Sequence, residues 1–366
     1  MPQNLPQQVN LRLPNYELLR IFSILAISVM HGIRGCYGHS VAFVGVNTIG
    51  NMGVTLFVLI SGYFGIRLRA SKVLWLWSTI LFYSLLIFAI QYHFNEIPTF
   101  ESGDTTKDFI KHLYVALTPV TSNTWWFCTS YIILMLLSPL FNKATSSMSK
   151  LQFQYLIAIL LLLYSLSPTF LHHPLSGITN GKCTENMIML YFIGRYFAKF
   201  GIPLTIQKYA AFFFIICVTL IFCVNFFLFD PLFMAKDNNF FIILGAICIF
   251  YYFGIIHVQS DTVANIIRYI ASMVFPFYLM NVFLIDHFEH QYYNLNGLDY
   301  FIAFLITQAE ILSITFAIEF TRRFLMKHLI KKPSHYFDKK VEQLKKKSVY
   351  GVYLSFLYTK KTNEHS

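Results

Sequence analysis

Runs of apolar residues, each about 20 long and divided by short polar stretches, dominate this sequence. A helix of that length matches the hydrocarbon thickness of a bilayer. Ten such helical segments are expected, at 16–36, 49–66, 73–93, 124–142, 152–171, 186–200, 209–229, 239–257, 270–288 and 299–324. Between the third and fourth lies a polar loop, Asn95 to Asp108, followed by a short amphipathic or re-entrant piece over 109–120 that Pro119 closes. The predicted fold is an all-α polytopic membrane bundle. Residues 1–326 form its transmembrane domain and 327–366 a basic tail.

The first segment departs from the apolar pattern. It carries Arg20 and His31, with Glu17 one turn before the arginine and Arg34 almost one turn after the histidine. Eleven residues at about 100° each bring Arg20 and His31 back to one face, about 16 Å apart along the axis. An ionisable stripe on a lipid-compatible helix is costly unless it faces protein or a water-filled cavity, so it marks a functional site. The bland alternative is an arginine snorkelling to the headgroups and a histidine hydrogen-bonded in the bundle.

Composition agrees with the pattern: of 366 residues, 56 % are hydrophobic and only 12 % charged, which excludes an ordinary soluble domain. The 39 Phe and 23 Tyr suit aromatic belts at the two interfaces, where the pair Trp125 and Trp126 is also expected as an anchor. No cleavable leader is expected, since Met1 to Pro14 is polar and no small-residue cleavage pattern follows. The net charge of +11 is concentrated in the tail, with Lys345, Lys346 and Lys347 together. Such a block beside a membrane domain suits a cytoplasmic end and anionic lipid headgroups, and no nucleic-acid partner is expected. With both termini inside, 23 basic residues fall on the cytoplasmic side and five outside (Arg34, Lys107, Lys111, Lys182 and Lys236). The six cysteines show no CxxC spacing and read as small buried hydrophobes; neither they nor the loop pair His172 and His173 suggest a metal site.

Neutral imidazole accepts a proton from a hydroxyl near physiological pH, which suits His31 to acyl transfer onto an alcohol. A cytosolic donor rich in phosphate would need cations at the inner mouth, where Arg20, Arg67, Arg69 and Lys72 are placed by the expected topology. The stretch YELLRIFSILAISVMHG resembles the first span of the acyltransferase-3 family of integral membrane acyltransferases, whose mark is an arginine, ten residues and a histidine. GVTLFVLISGYFGIRLRASK resembles the second-span block through Phe57, Ser61, Gly62 and Tyr63, then Arg67 and Arg69. TWWFCTSYIILMLLSPLF resembles a third block through Trp126, Phe127 and Pro139. Two departures stand out: Asn281 replaces a ninth-span histidine in FPFYLMNV, leaving its role to amide chemistry or to His287, and Ile318 and Glu319 lack the proline that often follows.

The resemblance implies a membrane O-acyltransferase of the bacterial cytoplasmic membrane. It would move acetyl from acetyl-coenzyme A to a hydroxyl of a cell-surface polysaccharide or its lipid-linked precursor. His31 and Arg20 are the expected catalytic residues, Arg67, Arg69 and Lys72 the donor-binding cations. Glu17, Arg34, Tyr63, Trp126 and Glu310 are the expected substrate-binding residues. Ser61-Gly62 reads as a close helix contact more than a nucleophile, because small residues let membrane helices approach. The competing reading is a carrier or flippase for a lipid-linked sugar, with the same stripe along a transport path.

Overall fold

The computed structural model describes residues 12–33, 40–94, 105–171, 175, 180–228 and 232–329, and the side chains among them except those of 105 and 326–329. Every regular element among these residues is helical. In chain order they are α1 (Pro14–Gly32), α2 (Val41–Gly50), α3 (Met52–Phe64), α4 (Ala70–His93), α5 (Thr105–Leu117), α6 (Trp126–Ser147) and α7 (Lys150–Leu161). Then follow α8 (Thr184–Phe200), α9 (Leu204–Cys223), α10 (Phe240–Gly254), α11 (Asp261–Ala271), α12 (Val274–Phe288) and α13 (Gly297–Leu329). Wider π-helical turns extend α7 over Leu162–Leu171 and α9 over Val224–Leu228.

Each of the ten expected segments falls on a helix. Among the described residues six helical stretches, α2 and α3 together counting as one, are long and apolar enough to span a bilayer, or seven if α11 and α12, bent by 46° at their joint, form one broken span. α8 and α10 are shorter, at 17 and 15 residues. α1 has the length but carries Asn15, Glu17, Arg20 and His31. In α1 the polar groups are tolerated because Glu17 is buried in protein and paired with Arg20. The second expected segment also begins earlier, because Ser40 caps α2 by accepting from Phe43 N at 3.2 Å.

Two apolar cores flank α1. Tyr16 and Leu19 belong to the larger, built with Leu56, Leu59, Tyr191 and Phe250; Ile24 and Ile27 belong to the second, with Ile80, Cys128, Phe277 and Met280. α3 and α8 make the most extensive helix contact. They touch through glycines: a β-carbon on Gly62 would collide with the Tyr191 carbonyl, and one on Gly194 with the Leu59 carbonyl. Small residues are what allow two membrane helices this close an approach.

At the end of the bundle where α8 and α10 begin, the loop before α10 buries Asp237 and Asn238. Asn186 Nδ2 donates to the Gly181 carbonyl at 3.0 Å and the Asp237 carbonyl at 3.3 Å, tying this loop to α8. One carboxylate oxygen of Asp237 has no partner. Burial pushes this carboxyl up to about 7, a rise that the charge of Lys182 partly offsets.

Candidate active site

A cavity of about 710 Å³ runs into the bundle between α1, α3, α4, α6, α12 and α13. Four arginines line it: Arg12 just before α1, Arg20 in its second turn, and Arg322 and Arg323 near the end of α13. Its walls are apolar and aromatic, with Ile27, Val54, Phe57, Phe127 and Tyr278, interrupted by the hydroxyls of Ser61 and Tyr131 and the thiol of Cys128. A basic mouth on an apolar shaft suits an amphiphilic ligand with an anionic head.

Two buried carboxylates organise the mouth. Glu17, 2 % exposed, accepts from Arg20 Nη1 at 2.5 Å and lies 3.5 Å from Arg12 Nη1. Glu319, fully buried, accepts from Arg322 through Nε at 2.7 Å and Nη2 at 2.8 Å. The same carboxylate accepts from Arg323 Nε at 2.6 Å and from the Tyr83 hydroxyl at 2.8 Å. Glu319 thus holds two guanidiniums by hydrogen bonds and Glu17 one, with Arg12 as a looser ion pair, and four cations against two anions leave the mouth positive. Arg323 also donates to the Ser272 carbonyl at 2.7 Å and its hydroxyl at 3.1 Å, which ties α13 to the bent joint between α11 and α12.

His31 is half-buried, one turn beyond Ile27 on the face of α1 that carries Arg20, and is not itself among the lining residues. On α12 the matching step leads from Tyr278, which lines the cavity, to Asn281, one turn further on. Asn281 Nδ2 donates to Ser28 Oγ at 2.6 Å, and Ser28 in turn donates to Gln308 Oε1 at 2.5 Å. That chain turns Asn281 Oδ1 toward the imidazole, so His31 Nδ1 is the donor across 3.2 Å. A proton on Nδ1 leaves the basic lone pair on Nε2.

Residues 13–318 match the sequence model of a family of acyltransferase domains. The chain belongs to the acyltransferase-3 family. No curated protein and no solved structure matches it. With helices that cross the membrane several times, this is a multi-pass integral membrane acyltransferase, acting between an acyl donor and a hydroxyl-bearing acceptor.

The structure brings only some of the expected residues of this acyltransferase into the site. Arg20 lines the cavity and Glu17 supports it from below. Arg67, Arg69 and Lys72 are exposed and stand outside the lining; with Arg12 they form one group, near enough that Arg69, Arg12 and Arg67 all act electrostatically on Lys72. Tyr63 packs its ring 5.2 Å from Tyr16 and 5.5 Å from Phe250, in the larger core. Trp126 packs on that core too, and it is the next residue, Phe127, that lines the cavity. Glu310 is half-exposed and outside the lining, whereas its neighbour Gln308 bonds Ser28. Arg34, His172 and His173 lie outside the described residues.

Of the two family departures, Asn281 meets its position with amide chemistry, as an acceptor for His31. His287 instead packs against the rings of Phe283, Phe94 and Phe288. Sequence reasoning missed Arg12, Arg322 and Arg323 as site residues, having counted them only as topological charges. The available signal was the spacing Glu319-x-x-Arg322-Arg323, which puts both cations within a turn of a carboxylate.

Proposed function

We propose that this protein is an O-acetyltransferase that takes acetyl from acetyl-coenzyme A on the cytoplasmic side and delivers it to a hydroxyl of a cell-surface polysaccharide or its lipid-linked precursor. The observation that carries the reading is the cavity itself, basic at its mouth, apolar along its length, and ending one turn short of an imidazole whose tautomer is set for base catalysis. Anionic phosphates suit the arginines, and an uncharged acyl arm suits the Phe57, Phe127 and Tyr278 walls. The exposed group Arg67, Arg69 and Lys72 suits attraction of a polyanionic donor from solution.

In this mechanism His31 Nε2 takes the proton of the acceptor hydroxyl as its oxygen attacks the thioester carbonyl. The tetrahedral adduct then expels the thiolate, which receives that proton from the imidazolium, so both leave at the charge they began with. Arg20 serves as a donor-positioning group. The ~16 Å of helix between it and His31 is too long for one guanidinium to reach an oxyanion beside that imidazole. His31→Ala and Arg20→Ala are each expected to abolish acetylation while the protein stays inserted. The measurement is the acetyl content of surface polysaccharide in cells that carry the wild-type chain, either variant, or none. Equal acetyl content with and without the chain, or with His31→Ala, overturns the reading.

A further inference from the structure

The charge knot on the last helix contains a donor that its own fold does not satisfy. Arg322 is 1 % exposed, yet its Nη1 has no hydrogen-bond partner among the described residues, and the residue lines the cavity. Its Nε and Nη2 are committed to the Glu319 carboxylate, and its guanidinium lies 5.2 Å from the Trp75 ring centroid. Carboxylate on one edge and indole on one face fix the plane of the guanidinium, leaving the Nη1 edge as the part able to meet a ligand. A charged N–H buried without an acceptor is among the most expensive groups a fold can retain. Arg12 and Arg20, by contrast, stand at 60 % and 25 % side-chain exposure, where water can satisfy them.

We infer that Arg322 is the anchor of a phosphate subsite in this cavity, with Nη1 donating to a phosphate oxygen and Arg323 adding charge beside it. The subsite rests on the acyl-donor reading above: the phosphate is that of the nucleotide portion of the donor, held on the α13 wall of the cavity that Arg20 also lines. Glu319 and Trp75 act as positioning residues, since neither needs to touch the ligand. The same oxygen chemistry is offered by a lipid headgroup, so the test carries an arm for each source.

The probe is radiolabelled coenzyme A, with inorganic pyrophosphate as competitor, measured by equilibrium dialysis against the purified full-length protein in neutral detergent. Removal of Arg322 alone leaves the buried Glu319 carboxylate to Arg323 and Tyr83, so Arg322→Gln is paired with the double variant Glu319→Gln/Arg322→Gln, in which a neutral amide pair replaces the Glu319–Arg322 ion pair. Both are expected to lose at least about tenfold in affinity, the size of one charge-assisted bond to phosphate. Lys208→Gln, which removes a charge outside the cavity, should stay within about twofold of wild type. In turnover the double variant should raise the donor KM at least about tenfold while kcat moves less than about threefold, the pattern of lost ground-state binding.

Wild-type affinity for coenzyme A in a double variant that elutes as a monodisperse peak overturns the subsite. So does a loss confined to retention of phosphatidylglycerol over phosphatidylcholine in mixed-lipid nanodiscs, which assigns the phosphate to a headgroup. Arg322-dependent coenzyme A binding without acetyl transfer to any polysaccharide would uphold the subsite and sink the acetyltransferase reading instead.

Discussion

The hydrogen bond between His31 and Asn281 puts a proton on Nδ1, and it comes from a residue where the sequence departs from the blocks it resembles. Asn281 Oδ1 accepts from Nδ1, and the amide is held in that sense by Ser28 and Gln308. A carboxylate in its place would favour the imidazolium and deplete the free base. Asn281→Asp is therefore expected to move the acidic limb of the pH–rate profile up by about one unit, while Asn281→Ala lowers kcat at least about tenfold across the range. Unmoved limbs in both variants would mean that His31 does not act as a base. Asp237 offers a second residue-scale test, on stability. Its native carboxyl, at about 7, binds a proton more tightly than an unfolded aspartate does. The native state is thus favoured most below about pH 4, loses that advantage as pH rises to about 7, and changes no further above it. Asp237→Asn should flatten this dependence and raise the melting temperature at pH 8 more than at pH 5, as read by thermal unfolding in detergent. The shared face of Arg20 and His31 on α1 follows from their eleven-residue spacing. The orientation of Asn281 was not legible in the sequence, because it depends on Ser28 and Gln308, which reach it from helices at opposite ends of the chain.

Helices are where sequence pattern was most informative, since a run of about 20 apolar residues has few other ways to satisfy its backbone in lipid. What pattern left open is which helices face lipid. α8 reads as an apolar run like any other, yet it is buried along most of its length by α3, α6 and α7. Gly62 was legible as a packing contact, and the structure supplies its partner, Gly194. A methyl group at Gly194 would meet the Leu59 carbonyl and the Tyr63 amide, both backbone atoms that cannot rotate away. Gly194→Ala is expected to destabilise the protein by about 1–3 kcal/mol through forced separation of the two helices. A melting curve superimposable on wild type would show that the α3–α8 crossing is looser than described. The substitution lies away from the cavity lining, so residual activity at low temperature should keep the wild-type donor KM.

At the scale of the whole molecule the cavity is one compartment with a basic end, and the reading predicts that a donor fills it from that end. Ser61, half-buried on the α3 wall, tests this: a thiol introduced as Ser61→Cys should react with a small maleimide in membranes, and coenzyme A should slow that reaction at least about fivefold. Alkylation indifferent to coenzyme A would argue that the donor binds elsewhere. Charge counting had pointed to Arg67, Arg69 and Lys72 as the donor's cations because they follow the second-span block. Among the described residues the mouth is lined by Arg12 and Arg20, just before and within α1, and by Arg322 and Arg323 of α13, and that pairing of helices far apart in sequence is invisible to any local motif. It has a consequence for biosynthesis. Ser28 waits for Gln308, and the shaft stays without one of its walls until the ribosome has released residues 322 and 323 into place. On the proposed mechanism, a nascent chain that lacks α13 therefore holds its imidazole and arginine at their spacing but no finished compartment in which to bind a donor.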